Sequence, residues 1–237
     1  MYNVDFSIIS ASLPQIYEGL ITTCYICVVS FVLAFLLASF ITYFRTIKTN
    51  KIVEKNSVMF VEFIRNTPLL LQIYVVFKLL PQIGLTFSPF ACGIIALSVY
   101  QGVYFSEVMR SGIAQIKGEQ MNAAFALGFS SFETFRLIIF PQGLKNVISP
   151  LGSQVINLIK NSSLLSFIAV SDIFYVSYQK IADDFRIIEY FTVCLVLYTS
   201  LTGIVLIFTH ILNFYLKILY TYNYCRYVCR SGAERSF

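Results

Sequence analysis

Polar side chains recur on one face of an otherwise apolar predicted helix between residues 147 and 170. They stand four, three and four residues apart, a spacing that places them on one side of an α-helix: Pro150, Gln154, Asn157 and Asn161. Lys160 borders this face one turn from Asn157. An ammonium group beside a row of amides could bind the carboxylate of a small polar molecule.

A second group of polar residues lies in the preceding apolar stretch: Tyr100, Gln101, Tyr104 and Glu107. Their spacing puts Tyr100, Tyr104 and Glu107 on one side of a helix. Together the two groups suit a zwitterion whose amine meets Glu107 and whose carboxylate meets Lys160. The alternative is that Glu107 and Lys160 pair or reach toward water while the amides join helices. Spacing alone favours neither interpretation.

Patterns typical of catalysis, metal binding or nucleotide binding do not occur in the chain. Cys24 and Cys27 have CxxC spacing but lack companion ligands, so we expect no metal and no disulfide. The phosphate-binding sequence GxxxxGK[ST] is missing, and no nucleophile stands with a base. We therefore expect neither an enzyme nor a cofactor. The net charge of +5 would suggest a nucleic-acid partner only if the basic residues formed one patch, and they do not.

The composition is typical of a membrane protein, with 57% hydrophobic and 12% charged residues. An apolar stretch of about 20 residues can cross a bilayer core roughly 30 Å thick. We predict an all-α polytopic protein, a single membrane domain over residues 1–237 with five transmembrane helices: 19–44, 58–80, 90–109, 147–170 and 190–216. The second contains Glu62 and Arg65, one turn apart, which are predicted to neutralise each other.

The basic residues predict the orientation. Twelve of the seventeen Lys and Arg lie in the first loop, in the stretch between the third and fourth spans, and in the C-terminal tail. Two of them, Lys180 and Arg186, lie on the opposite side. Because positively charged loops stay in the cytoplasm, we expect the N-terminus outside and the C-terminus inside.

The stretch between the third and fourth spans reads as two short helices that meet at a glycine. Ala123, Ala124 and Leu127 form a small apolar ridge, and Gly128 is placed to end the first helix in a left-handed conformation. The sequence from Ser130 to Glu133 is a capping box that starts the second helix, and Pro141 is predicted to limit it. Such a pair indicates a contact surface for a partner.

This stretch resembles the EAA loop of ABC-importer permease subunits, and its surroundings are similar to the polar amino acid subfamily, the histidine, glutamine and arginine type. The segment 65–70 is similar to the subfamily's RGTPLL segment, and Tyr104 with Glu107 matches its AYxxE helix. The resemblance runs from about Gly19 to Phe174 and includes these further residues: Ala123, Ala124, Ala126, Leu127, Gly128, Ser130, Phe135, Pro141, Gln142, Pro150, Lys160, Asn161, Ser162, Ser163 and Leu164.

The resemblance implies a type I ABC importer transmembrane domain in the cytoplasmic membrane, with a coupling loop at about 112–146. It implies four kinds of partner: ATPase subunits that bind and hydrolyse ATP, a second permease subunit, an extracytoplasmic amino-acid-binding protein and an amino acid substrate. The residues expected to contact the ATPase are Asn122, Ala123, Ala124, Leu127 and Gly128. Those expected to contact the substrate are Tyr100, Gln101, Tyr104, Glu107, Asn157, Lys160, Asn161 and Ser162.

Two positions depart from the family pattern. Asn122 replaces the glutamate of the EAA sequence, and Asn161 replaces the carboxylate of a Lys-Asp-Thr-Ser segment. Glu107 with Asn161 favours a cationic or neutral ligand, and the substrate we expect is a polar or basic amino acid, with arginine and glutamine as examples. The rival interpretation is an ion channel or secondary transporter that works without ATP. It explains the spans but not the two short helices between the third and fourth spans, which we call the docking stretch.

Overall fold

The computed structural model describes residues 4–46, 51–116 and 118–233, with side chains as far as residue 216. Every regular element in these ranges is helical, as predicted. The α-helices are α1 (Ile9–Thr46), α2 (Lys51–Arg65), α3 (Leu69–Tyr74), α4 (Pro89–Ile113), α5 (Gly118–Ala126), α6 (Ser131–Glu133), α7 (Phe140–Asn146), α8 (Ile148–Ser162), α9 (Ile173–Asp184) and α10 (Ile187–Ala233).

Three helical stretches of the described residues are long and apolar enough to cross a membrane: Phe6–Thr46, Pro89–Ile113 and Ile187–Leu216. They correspond to the first, third and fifth predicted spans. A fourth is reached if the bent pair Lys51–Arg65 and Leu69–Ile83 counts as one span. The count of five and the orientation stay predictions. Lys48, Lys117 and the side chains of Lys217, Arg226, Arg230 and Arg235, which support that orientation, lie outside the described residues.

The second predicted span is not one straight helix. The chain bends by 103° between α2 and α3. Pro68 stands in an extended conformation at the break and disfavours helical backbone at Thr67. The Gln72 Nε2 atom holds the bend because it donates hydrogen bonds to the Ile64 carbonyl at 2.9 Å and to the Thr67 hydroxyl at 2.8 Å.

The fourth predicted span is shorter than expected. α8 contains 15 residues, which gives a length of about 22 Å at 1.5 Å per residue. A 3₁₀ segment, Ser163–Ile168, follows it and ends where Ala169 takes a left-handed conformation with φ of 59°. The apolar residues after Ser162 are therefore still buried in the protein, but they no longer belong to the α-helix.

α4 lies at the centre of the packing. Its partner α1 approaches closely at Gly102, where a Cβ atom would stand 3.1 Å from the Ala34 carbonyl oxygen. The rings of Phe31 and Phe105 meet edge to face at 5.7 Å. The same contact belongs to a buried apolar cluster that also reaches the start of α8: Ala34, Ala38, Phe105, Met109, Val147 and Leu151.

Asp172 joins three helices at the end of the molecule away from α5. Its carboxylate accepts hydrogen bonds from the Tyr175 backbone N–H at 2.8 Å and from the Tyr198 hydroxyl of α10 at 3.0 Å. The next residue, Ile173, donates its backbone N–H to the Thr23 hydroxyl of α1 at 3.1 Å. Burial raises the pKa of Asp172 to about 6, against the hydrogen bonds that lower it.

Candidate functional site

The predicted polar groups of α4 and α8 meet at two glutamines. The Gln101 Nε2 atom donates to the Gln154 backbone oxygen at 2.9 Å and to its side-chain oxygen at 3.1 Å. Gln101 is buried, so its amide joins the two helices. One of the two sequence interpretations, amides that hold helices together, therefore describes this pair.

The other polar residues turn to a common side of the molecule. Because α1 packs against both α4 and α8, the faces of these helices that turn away from α1 lie side by side. We call this the polar face; it consists of half-buried Tyr100 and Tyr104 and exposed Ser153, Asn157 and Lys160. Asn161 is half-buried beside it.

The two tyrosines of the polar face contact each other. Their hydroxyl oxygens are 3.4 Å apart and their ring centroids 4.8 Å apart. The guanidinium of Arg65 lies 5.9 Å from the centroid of the Tyr104 ring, a cation–π distance. Ser162, by contrast, is buried and donates its hydroxyl to the Ile159 carbonyl at 2.8 Å, so it does not open onto the polar face.

Glu107 lies at the end of this face nearest to α5, among three arginines. One carboxylate oxygen accepts from Arg45; the other lies 3.2 Å from an Arg110 nitrogen and 3.7 Å from an Arg65 nitrogen. The Arg45 side chain is 11% exposed, whereas those of Arg65 and Arg110 are 47% and 44% exposed. The sequence pattern does not reveal Arg45 and Arg65 as partners because they stand on other helices, whereas Arg110 is one turn from Glu107 on α4.

Glu107 and Lys160 occupy opposite ends of the polar face. Since the helices run antiparallel and Gln101 meets Gln154, each residue is six positions from the glutamine contact in opposite directions. That separates them by about 18 Å along the helix axes. Pairing of Glu107 with Lys160 is not observed among the described residues. The predicted pairing of Glu62 with Arg65 is also wrong, because Arg65 turns to Glu107.

The end of α5 confirms the predicted glycine stop. Gly128 has φ of +86°. The backbone N–H of Phe129 donates to the Ala124 carbonyl and that of Gly128 to the Phe125 carbonyl, at 3.1 and 3.0 Å, which is a Schellman motif. The left-handed residue turns the chain directly into the next helix.

The second helix of the docking stretch begins as predicted but ends later. Ser130 and Glu133 form the full capping box, with the Ser130 backbone N–H donating to the Glu133 carboxylate at 2.9 Å. The prediction that Pro141 limits the helix is wrong. A π-helical turn, Thr134–Ile139, precedes the proline and α7 follows it. The wider turn makes room for the ring in a helix that runs to Asn146.

The predicted apolar ridge divides between two faces of α5. Ala124 is buried, while Ala123 and Leu127, one turn apart, are exposed, as is Asn122. Leu127 is 78% exposed. α5 therefore packs on the protein through Ala124 and presents an apolar surface outward.

A cavity of about 540 Å³ lies between α1, α8 and α10, away from the polar face. Aliphatic and aromatic side chains form most of its wall, including Val28, Phe31, Leu151 and Phe208. Because a polar ligand needs hydrogen-bonding groups when it leaves water, this cavity does not suit an amino acid.

Comparisons with known proteins agree with this architecture. The family described as "Binding-protein-dependent transport system inner membrane component" matches residues 34–220. The glutamine transport system permease protein GlnP of Escherichia coli (strain K12) is 30% identical over 217 residues, which cover 91% of this chain and 95% of that protein. The nopaline transport system permease protein NocM of Agrobacterium fabrum (strain C58 / ATCC 33970) is 30% identical over 212 residues, 85% of this chain and 88% of that protein.

Solved structures share the fold. The chain matches a crystal structure of an amino acid ABC transporter with histidines at a TM-score of 0.80 and 26% identity, over 90% of this chain and 99% of that one. An inward-facing structure of the MetNI methionine ABC transporter matches at a TM-score of 0.72 and 14% identity, over 90% and 99%; at this identity the likeness concerns the fold alone.

Proposed function

The chain belongs to the family of binding-protein-dependent transport system inner membrane components, and from this premise we propose that it is the permease subunit of an ATP-driven amino acid importer. The substrate is a polar or basic amino acid, with glutamine and arginine as the first examples to test. Transport proceeds by alternating access across the inner membrane. The names of the relatives, which include permeases for glutamine and nopaline, support the substrate class.

The observation that carries the proposal is the exposed apolar surface of α5. Ala123 and Phe125 of α5 and Leu127, the residue after it, are exposed beside Asn122, and the Schellman motif and the capping box fix the turn that follows. Leu127 at 78% exposure and Phe125 at 43% extend this surface into a small apolar patch, which suits contact with a partner. In our proposal a groove on an ATPase subunit covers this surface, within a coupling region at about 112–146.

The rigid path from α5 to the membrane supports a coupling role. The helix that follows α5 continues through α7, where Gly143 approaches Gly112 so closely that a Cβ atom on Gly112 would lie 2.5 Å from the Gly143 carbonyl oxygen. Movement of α5 with the ATPase would therefore displace the inner end of α4. α4 in turn carries Tyr100, Tyr104 and Glu107.

The polar face is the proposed substrate path. Tyr104, Asn157, Lys160 and Asn161 contact the amino acid, and buried Gln101 and Ser162 hold α4 and α8 in position. Because this face is exposed in a single chain that lies in a membrane, a second permease subunit, identical or related, must cover it. An extracytoplasmic binding protein delivers the amino acid to the outer end. The whole of residues 1–237 acts as one membrane domain, with five spans and the N-terminus outside.

Purification and reconstitution test the proposal. The tagged chain should copurify from membranes with an ATPase subunit, and the complex in liposomes should take up an amino acid only with ATP and the binding protein. Uptake driven by an ion gradient without ATP would instead identify a secondary transporter, and passive flux would identify a channel.

A further inference from the structure

The polar face carries an unequal distribution of charge. α8 contains no carboxylate, and α4 contains one, Glu107. The exposed charges along the face are positive: Lys160 at one end, and Arg65 and Arg110 at the other. Between them stand the neutral phenols of Tyr100 and Tyr104 and the amides of α8.

Glu107 does not offset these positive charges for a ligand. Its two oxygens already face three guanidinium groups, so the four side chains together carry a net charge of +2. A ligand cation could bind Glu107 only by displacing arginines. Arg45, at 11% exposure, would then be left buried without its carboxylate, which is strongly unfavourable.

We propose that the polar face selects amino acids with a neutral or acidic side chain and disfavours lysine and arginine. This inference rests on the proposed function, since it assumes that the substrate passes along this face. It narrows the substrate class to glutamine-like and glutamate-like molecules and excludes arginine.

The chemistry of a zwitterion fits this charge distribution. Its carboxylate can first bind Lys160 near the outer end of the face. About 18 Å further in, at the level of Glu107, it can bind the guanidinium group of Arg65 or Arg110. Its ammonium group can donate to neutral acceptors, namely the hydroxyl of Tyr104 and the side-chain oxygens of Asn157 and Asn161. A second ammonium or a guanidinium on the side chain finds no unneutralised carboxylate on the described part of either helix, while the arginines repel it.

Equilibrium binding tests this directly. The complete complex of permease and ATPase subunits, in nanodiscs and without the binding protein, is titrated with radiolabelled glutamine, and unlabelled glutamine, glutamate, arginine and lysine then compete. We expect glutamine and glutamate to compete at least tenfold better than arginine and lysine. The variant Lys160→Glu should reduce or reverse that ratio. Lys180→Glu makes the same charge change on α9, outside the polar face, and should preserve it.

The outcomes separate the two proposals. If arginine or lysine competes as well as glutamine, the proposed charge selection is wrong, while the proposed function as an amino acid importer is unaffected. If the competition ratio is unchanged in Lys160→Glu, Lys160 does not contribute to the discrimination between these amino acids, and this part of the proposal is wrong. If the complex binds none of the four amino acids and the same preparation shows no ATP-dependent uptake of them, the proposed function fails, and the selection with it.

Discussion

Arg45, in the last turn of α1, donates a hydrogen bond to Glu107 of α4 across 62 residues of sequence. The same carboxylate also forms ion pairs with Arg110 of α4 and with Arg65, the last residue of α2. One acidic side chain thus joins the three helices at the end nearest to α5. This position makes Glu107 a residue that positions helices, whatever its relation to the substrate.

The substitution Glu107→Gln should destabilise the protein. It leaves three guanidinium groups facing one neutral amide. We expect a loss of about 3 kcal/mol, at the low end for a broken buried ion pair because two of the arginines are half-exposed to solvent. Thermal stability by size-exclusion chromatography after heating measures the effect. Glu62→Gln removes an exposed carboxylate of α2 that has no ion pair in the described structure and should change little. Equal stability of both variants would contradict the role of Glu107.

The substitution Gly128→Ala tests the turn between α5 and the next helix. Nothing lies within 4 Å of the added Cβ atom, so the cost comes from the φ of +86° and should be about 1 kcal/mol. A displaced α5 should lower the amount of amino acid transported per ATP hydrolysed. Gly118→Ala is the matched control, since its Cβ atom also meets nothing but its φ is not positive. Normal coupling in a Gly128→Ala variant whose α5 is shown to be displaced would argue against α5 as the coupling helix.

Local signals and long-range contacts differed in how well sequence predicted them. The Gly128 stop and the Ser130 capping box depend on residues within one turn, and both were predicted correctly. The bend at Pro68 also had a local signal, since a proline disfavours helical backbone at the residue before it. The apolar residues on both sides of Pro68 nevertheless suggested one continuous span. The π-helical turn before Pro141 depends on packing around the whole docking stretch, so the proline alone gave the wrong helix end.

The candidate site shows the same division. Spacing placed Tyr100, Tyr104 and Glu107 on one side of a helix, and this is observed. Arg110 lies one turn from Glu107 on α4, a spacing that would have indicated this partner. Arg45 and Arg65 could not be predicted, because they stand on other helices and only the fold brings them to the same depth. The sequence suggested Lys160 as the cation that pairs with Glu107. The antiparallel packing of α4 and α8 instead places Lys160 at the opposite end of the polar face.

The substitution Leu127→Ser should weaken the contact with the ATPase without affecting the fold. Leu127 is 78% exposed, so we expect the free energy of unfolding to change by less than about 0.5 kcal/mol. Loss of its side chain from a partner groove should weaken the complex roughly tenfold. Copurification of the ATPase at increasing detergent stringency gives the readout. Ile83→Ser, at a residue 71% exposed near the opposite end of α4, is the control; an equal loss of ATPase in both variants would count against α5.

The carboxyl group of Asp172 should make stability depend on pH. Burial raises its pKa to about 6 from 3.8, so the folded state binds the proton more tightly than the unfolded state. The extra stability is fully present below about pH 4 and is lost as pH rises through about 6. Asp172→Asn keeps a neutral acceptor for the Tyr198 hydroxyl. At pH 8 this variant should therefore unfold at a higher temperature than the unsubstituted protein, a gain of up to about 3 kcal/mol, and the difference should shrink toward pH 4.

Exposed Asp183 on α9 provides the control for that measurement. Asp183→Asn removes an exposed carboxylate of the same type and leaves Asp172 in place, so its pH profile should retain the contribution of the buried carboxyl. A profile for Asp172→Asn that runs parallel to that of Asp183→Asn would show that the buried carboxyl does not titrate in this range.

Thiol labelling tests the orientation. In a variant whose native cysteines are replaced by serine or alanine, Ser131→Cys lies in the docking stretch and Asp183→Cys on α9, and both positions are exposed. A membrane-impermeant maleimide added to intact cells should label Asp183→Cys at once and Ser131→Cys only after the cells are opened. Both variants must first support uptake, which shows that they are folded in the membrane. Labelling of Ser131→Cys in intact cells would place α5 outside, where it could not meet an ATPase.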